Sequence, residues 1–219
     1  MLFRQTIAYC ESSERFYPGA FARQLVTLWT DVSVTLQRIG EHDQAITALD
    51  QALAAGAATA SPQDFAWTLV QRGNALDMSE RAAEAIQDYD KAISLFETLP
   101  DHNHLPEYSS ALFNLAVTLS KSGNPQRAVE LYDRVVDIRE ADVKEKPNWN
   151  ASHHLARACL NRSIALRRLK RFEDAEASSE KALNIWKRLV EVEGHVDLGP
   201  YQYQALMEVG CAGAGLDVD

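Results

Sequence analysis

Several features are scarce in this 219-residue chain, and each scarcity closes off a class of function. There are three cysteines, Cys10, Cys159 and Cys211. Their number is odd, they lie far apart, and no two have ligand spacing, so neither a disulfide framework nor a zinc site is indicated and a reducing compartment, the cytoplasm, is expected. No run of about 18 apolar residues exists, so no membrane-spanning helix is expected. The opening Met1-Leu2-Phe3-Arg4-Gln5-Thr6 lacks the apolar stretch of a secretory signal. Basic residues are outnumbered, 22 against 31 acidic, for a net charge of -9, which argues against a nucleic-acid footprint spread over the surface. There is no phosphate-cradling glycine loop and no evident Ser/His/Asp arrangement. His102-x-His104 and His153-His154 lack a companion Cys or carboxylate at ligand spacing, so loop and surface roles are expected for them. No cofactor or metal is expected.

What is present is repetition. Gly40 begins G-E-H-D-Q-A-I-T-A-L-D-Q-A-L; related stretches begin at Arg81, Gly123 and Arg171. Ala45, Ala85, Ala128 and Ala175 mark the register. Four residues on stand Leu49, Tyr89, Tyr132 and Ser179, and seven residues on Ala52, Ala92, Val135 and Ala182. Offsets of four and seven share one helical face. Twelve residues before each mark is another small residue, Ser33, Gly73, Ala116 or Ser163, inside a second amphipathic pattern that includes Trp29-x-x-Val32-Ser33-x-x-Leu36 and Cys159-x-x-Arg162-Ser163-x-x-Leu166. Each unit therefore reads as helix, short turn, helix. Gly40 and Gly123 follow the first helices, where a left-handed residue ends a helix at low cost. Asn124-Pro125 and Ser61-Pro62-Gln63-Asp64 read as helix starts.

These residues resemble the tetratricopeptide repeat family: a bulky residue, Leu and a small residue in the first helix, then Ala, an aromatic and Ala in the second. The resemblance covers roughly Phe21 to Val192, with Ser179 departing from the aromatic. It implies an all-α, right-handed superhelical solenoid of antiparallel helix pairs, about ten helices in one domain spanning residues 1–219. The expected parts are an N-terminal helix at 1–17, repeats at 21–60, 61–100, 104–146 and 150–193, and a C-terminal helix at 198–214; the end helices are half repeats or caps. The marks stand 40, 43 and 47 residues apart, against a usual period of about 34. This is similar to the long-repeat branch found in kinesin light chains and many bacterial multi-repeat proteins. The unbroken stretch from Ala128 to Lys146 predicts a lengthened second helix.

The resemblance also implies a function. The first helix of each pair lines a concave groove, which places Asp31, Gln71, Asn114 and Asn161 at equivalent levels. Val34, Asn74, Val117 and Ile164 stand one turn away, with Val70, Phe113 and Leu160 beside them. A row of amides can hold an extended peptide backbone; alternatively the asparagines are solvated or bond neighbouring helices. The family's carboxylate clamp expects Lys and Asn where this chain has Thr30 and Val34, and Lys and Arg where it has Ser110 and Asn114, so that clamp is absent. The run Arg157, Arg162, Arg167, Arg168, Lys170 and Arg171 contains no acid. With Lys121 it forms either an anion-selective part of the groove or a solvated face balanced by Glu173, Asp174, Glu176 and Glu180. Cys159, Trp29, Trp67, Trp149 and Trp186 read as packing residues.

The expected function is a non-catalytic interaction module. It would bind a protein, peptide or partner helix, acidic where it meets the Arg157–Arg171 helix, and neither nucleic acid nor membrane. The alternatives are a structural segment that self-associates through its fractional ends, and a peptide sensor.

Overall fold

The computed structural model describes residues 2–14, 20–57, 60–100 and 104–216. Among these are ten α-helices and no strand. They are α1 (Leu2–Glu14), α2 (Ala22–Arg38), α3 (His42–Gly56), α4 (Pro62–Met78), α5 (Ala82–Glu97), α6 (Leu105–Lys121), α7 (Pro125–Glu145), α8 (Trp149–Arg168), α9 (Phe172–Lys187) and α10 (Gly199–Gly213). Consecutive helices pack in antiparallel pairs, so the fold is an all-α solenoid, as the repeat implies. The chain divides into two compact units, Met1–Ala111 and Leu112–Asp219.

In the first unit α2 pairs with α3 and α4 with α5. Ser33, Ala45, Leu49 and Ala52 are buried at one crossing, and Gly73, Ala85, Tyr89 and Ala92 at the other. Trp29 is only partly buried; it packs with Leu28 and Val32 against Cys10 of α1 and Leu25. Ser61 caps α4, its Oγ accepting from the Asp64 amide at 3.1 Å and donating to the Asp64 carboxylate at 2.7 Å. His104, expected at the surface, is instead buried, because its ring stacks on Phe96 with centroids 5.7 Å apart. His102 lies outside the described residues.

In the second unit Ala116, Ala128, Tyr132 and Val135 repeat the pattern without exposure, and so do Ser163, Ala175, Ser179 and Ala182. Helix α7 runs 21 residues, so part of the long period is indeed extra helix. The other long connection follows α9: a π-helical turn at Arg188–Val192, Gly194 at φ 81° and a short 3-10 turn at Val196–Leu198, which bury Leu189 and Leu198. Helix α10 packs on α9 and passes through Gly210 without a break. Trp186 is fully buried; its indole N–H donates to His153 Nδ1 at 3.1 Å, and its ring stacks on Tyr201 of α10.

All four turns inside the pairs share one geometry. The amides of Glu41, Arg81, Asn124 and Arg171 donate to the carbonyls of Leu36, Leu76, Leu119 and Leu166 at 2.9, 2.9, 2.9 and 3.0 Å. This six-to-one bond requires a left-handed residue just before the donor. Gly40 (φ 81°) and Gly123 (φ 80°) supply it in two turns, and Glu80 (φ 60°) and Lys170 (φ 59°) in the others. The turn is thus enforced by packing even where its sequence opposes it, at a cost of about 1 kcal/mol for each non-glycine.

Gly73 is fixed for a different reason. A Cβ there would fall 2.6 Å from Tyr89 Cε1. The ring is buried and its hydroxyl donates to Asn74 Oδ1 at 2.8 Å, so it has nowhere to go. Gly73→Ala is expected to cost about 1–3 kcal/mol by urea unfolding, the overpacking outweighing alanine's better helix propensity. Tyr89→Leu in the same chain should recover part of that loss relative to the sum of the single changes.

Candidate functional site

The positions expected to line a groove divide between the two units. In the first, Asp31 on α2 is exposed, while Gln71 and Asn74 on α4 are partly buried. Asn74 holds the Tyr89 hydroxyl and so serves the helix crossing. Val34 is 40% exposed and Val70 fully buried. Between the groove positions stands Arg72, gripped by Asp88 of α5 (2.6 and 2.8 Å) and Asp50 of α3 (2.6 Å). These partners raise its pKa further, Asp88 most of all.

In the second unit α6 carries Phe113, Asn114, Val117 and Lys121, and α8 carries Arg157, Leu160, Asn161, Ile164 and Arg168. Asn114 and Asn161 are both partly buried, two residues before the small residues Ala116 and Ser163. Asn161 Nδ2 donates to the Arg157 carbonyl at 2.9 Å, which fixes the amide along its own helix. Val117 and Ile164 are partly exposed, Ile164 while packing against the core around Trp186. Leu160 is not: it is 3% exposed within the core around Trp186, because its side chain is needed there. Phe113 is also nearly buried, its ring set edge-on to Tyr132 at 5.8 Å.

The basic run is taken apart by pairing. Arg162 reaches Asp133 of α7 at 2.5 Å, and Arg171 pairs with Asp174 at 2.7 Å. Arg168 donates through Nη1 to the carbonyl and hydroxyl of Ser120 on α6. Arg167 is buried rather than facing a ligand; it holds Glu208 of α10 at 2.7 Å and the Leu216 carbonyl at 2.7 Å. Of the four acids offered as balance on the next helix, Asp174 is joined to the run by an ion pair with Arg171. Arg157 forms no ion pair among the described residues. Its guanidinium lies over the Phe113 ring at 5.3 Å.

A residue overlooked in the sequence stands beside it. Arg139 of α7 is 8% exposed, its guanidinium carbon lies 4.8 Å from the centroid of the same Phe113 ring, and its Nη1 donates to the His154 carbonyl at 2.7 Å. Its signal was available: Ala128, Tyr132, Val135 and Arg139 continue one helical stripe by offsets of four, three and four, so a charge occupies a core position. Burial, and secondly the charge of Arg157, lower its pKa to about 10. Burial and then the two guanidiniums push His154 down to about 4. Burial raises Cys159 to about 11, so its thiol is protonated at neutral pH and is no nucleophile. Among the described residues no three His, Cys, Asp or Glu side chains gather as a metal site.

Models of the tetratricopeptide repeat match residues 64–141 and 155–197, together more than half of the chain. The chain belongs to the tetratricopeptide repeat family. No curated protein matches it in sequence. Solved structures of similar fold include BtubC (BKLC) from P. vanneervenii, with 16% identity, a TM-score of 0.71, and coverage of 98% of this chain and 84% of that one. The nearly identical repeats of a kinesin light chain from Podosopora anserina align at 17% identity and a TM-score of 0.54, over 88% of this chain and 96% of that one. A signal transduction ATPase with a tetratricopeptide repeat sensor, from Pyrococcus horikoshii, aligns at 12% identity and a TM-score of 0.72 over 99% of this chain, which spans 31% of that protein. At these identities the likeness is one of fold.

The depressed His154 gives a measurable signature. Unfolded, the imidazole takes a proton near pH 6.5; folded, it resists until about pH 4. The unfolded state therefore binds more protons between these values, and stability present above about 6.5 is lost as pH falls toward 4. His154→Gln is expected to flatten that part of the melting-temperature profile relative to the parent chain. An unchanged slope would place His154 in solvent.

Proposed function

We propose that this chain is a non-catalytic interaction module that holds a peptide or partner helix along the exposed sides of its first-of-pair helices. Membership of a repeat family whose units stack into binding surfaces supports the general reading. The observation that carries the specific one is the equivalent placement of Asn114 and Asn161 on α6 and α8. Each is partly open, and each has a partly open apolar neighbour, Val117 or Ile164, three residues on. Amides can bond a ligand's backbone while the apolar neighbours take alternate side chains. No helix of the described residues is long and apolar enough to cross a membrane.

The test is Asn114→Ala combined with Asn161→Ala, measured against partners recovered on the immobilised chain. Affinity is expected to fall about tenfold or more for two lost backbone contacts, with the melting temperature nearly unchanged. Lost stability with unchanged affinity would assign the asparagines to packing.

A second reading, self-association, is favoured by α10, where Tyr203, Leu206 and Met207 are 65%, 51% and 51% exposed. If it holds, light scattering will show concentration-dependent dimers that Leu206→Glu with Met207→Glu abolishes. A monomer at all concentrations would remove it.

A further inference from the structure

The two arginines over Phe113, Arg139 buried and Arg157 partly buried, are arranged unlike Arg72, which is partly buried, and Arg167, which is buried. Arg72 and Arg167 are met by carboxylates, at 2.6 and 2.7 Å. Arg139 is more than nine-tenths buried, yet its one described hydrogen bond goes to a neutral carbonyl, that of His154, and it forms no ion pair among the described residues. Arg157 comes to the same ring, its guanidinium carbon 5.3 Å from the centroid against 4.8 Å for Arg139. The groups acting on Arg139 are Arg157, which repels it, and Cys159 and Tyr132, which burial keeps protonated. His154, the adjoining imidazole, is held neutral. Two like charges thus lie on one ring, in a chain of net charge -9.

Such an arrangement is unfavourable until something negative enters. A buried charge without a partner costs several kcal/mol, and the quadrupole of one phenylalanine ring offsets only about 1–2 kcal/mol of it. Guanidinium forks bind planar or tetrahedral oxyanions with two parallel hydrogen bonds each. A fork that spends only Nη1 on the protein keeps its other donors for such a ligand.

We propose that Arg139 and Arg157, seated on Phe113, form an oxyanion subsite that takes an acidic group, carboxylate or phosphoryl, carried by the protein partner. The subsite rests on the groove reading above and gives it a chemical preference. It is not the basic surface suggested by the Arg157–Arg171 run, most of whose members are committed to Asp133, Ser120, Asp174 and Glu208. Arg157 alone of that run contributes, and its companion comes from α7.

The experiment titrates the isotopically labelled full chain with glutarate and, separately, with inorganic phosphate, following the Nε–H resonances of the arginines. Arg157→Gln and Arg139→Lys assign the two signals. Saturable movement of both resonances is expected. Arg157→Gln should weaken the tighter anion at least about tenfold, and Arg139→Lys, which keeps the charge but loses the fork, should weaken it by a smaller factor. Arg171→Gln, which removes an exposed charge paired with Asp174, should leave binding within about twofold. The anion that binds more tightly identifies the partner's group as a carboxylate or a phosphoryl. Absence of saturable movement with either anion overturns the proposal, as does equal weakening by Arg171→Gln, which would reduce the effect to general screening. No partner protein is used, so failure here leaves the Asn114 and Asn161 result standing, and failure of that result leaves this one standing.

Discussion

The constraint on which this fold depends is the absence of space where the two helices of each pair cross. A side chain at Gly73 would enter the Tyr89 ring, and Ser33, Ala116 and Ser163 are fully buried at the equivalent points. With the backbones this close, the register of one helix against the next is fixed, and so is the turn that joins them. That is why Glu80 and Lys170 are held left-handed, in the geometry that Gly40 and Gly123 adopt without strain. The crossing is the primary feature and the turn residue follows from it.

The fourth pair shows what happens when the filling residue is lost. Ser179 stands where Tyr89 and Tyr132 stand in the second and third, and its hydroxyl turns back to the Ala175 carbonyl at 3.0 Å. Ser163 reaches the same carbonyl at 2.8 Å and lies 3.2 Å from Glu208 Oε1. Glu208 of α10 comes in with Arg167, so a buried polar network closes this end of the second unit. Such a network is stabilising only when each member is satisfied, and removing one partner strands the other. The fold has exchanged a ring for an ion pair, and in doing so has tied α10 to α8.

The repeat was legible because its signal is steric and local: small residues at fixed offsets, glycine in two turns, a proline after a capping residue in two helix starts. What stayed hidden was set by partners far along the chain. Nothing near Glu80 or Lys170 marks a left-handed residue, since the crossing imposes it. His104 sits in a proline-bounded loop that reads as surface, yet Phe96 draws it inward. The basic run looked like one feature because its charges are adjacent in sequence; a helix spreads adjacent residues around its axis, so Arg162, Arg167 and Arg168 meet three different elements. The amide positions follow from the register, whereas Arg139 is a single charge on a core stripe, with no run of like charge around it to mark it.

This last distinction bears on how such a module can be selective. Asn114 and Asn161 stand two residues before the small residues of their helices, about 200° around the axis at roughly 3.6 residues per turn. The proposed groove and the crossing therefore occupy opposite faces, and amides on the groove side can change without disturbing the pairs. Arg139 breaks that separation. It continues the Ala128, Tyr132 and Val135 stripe, so the same backbone that packs α7 delivers a charge to Phe113. An apolar residue in its place would complete the stripe and remove an unmet charge, which is the usual stabilising exchange. A guanidinium kept in that position is a local conflict between fold and surroundings, and such conflicts concentrate where a chain meets its ligand.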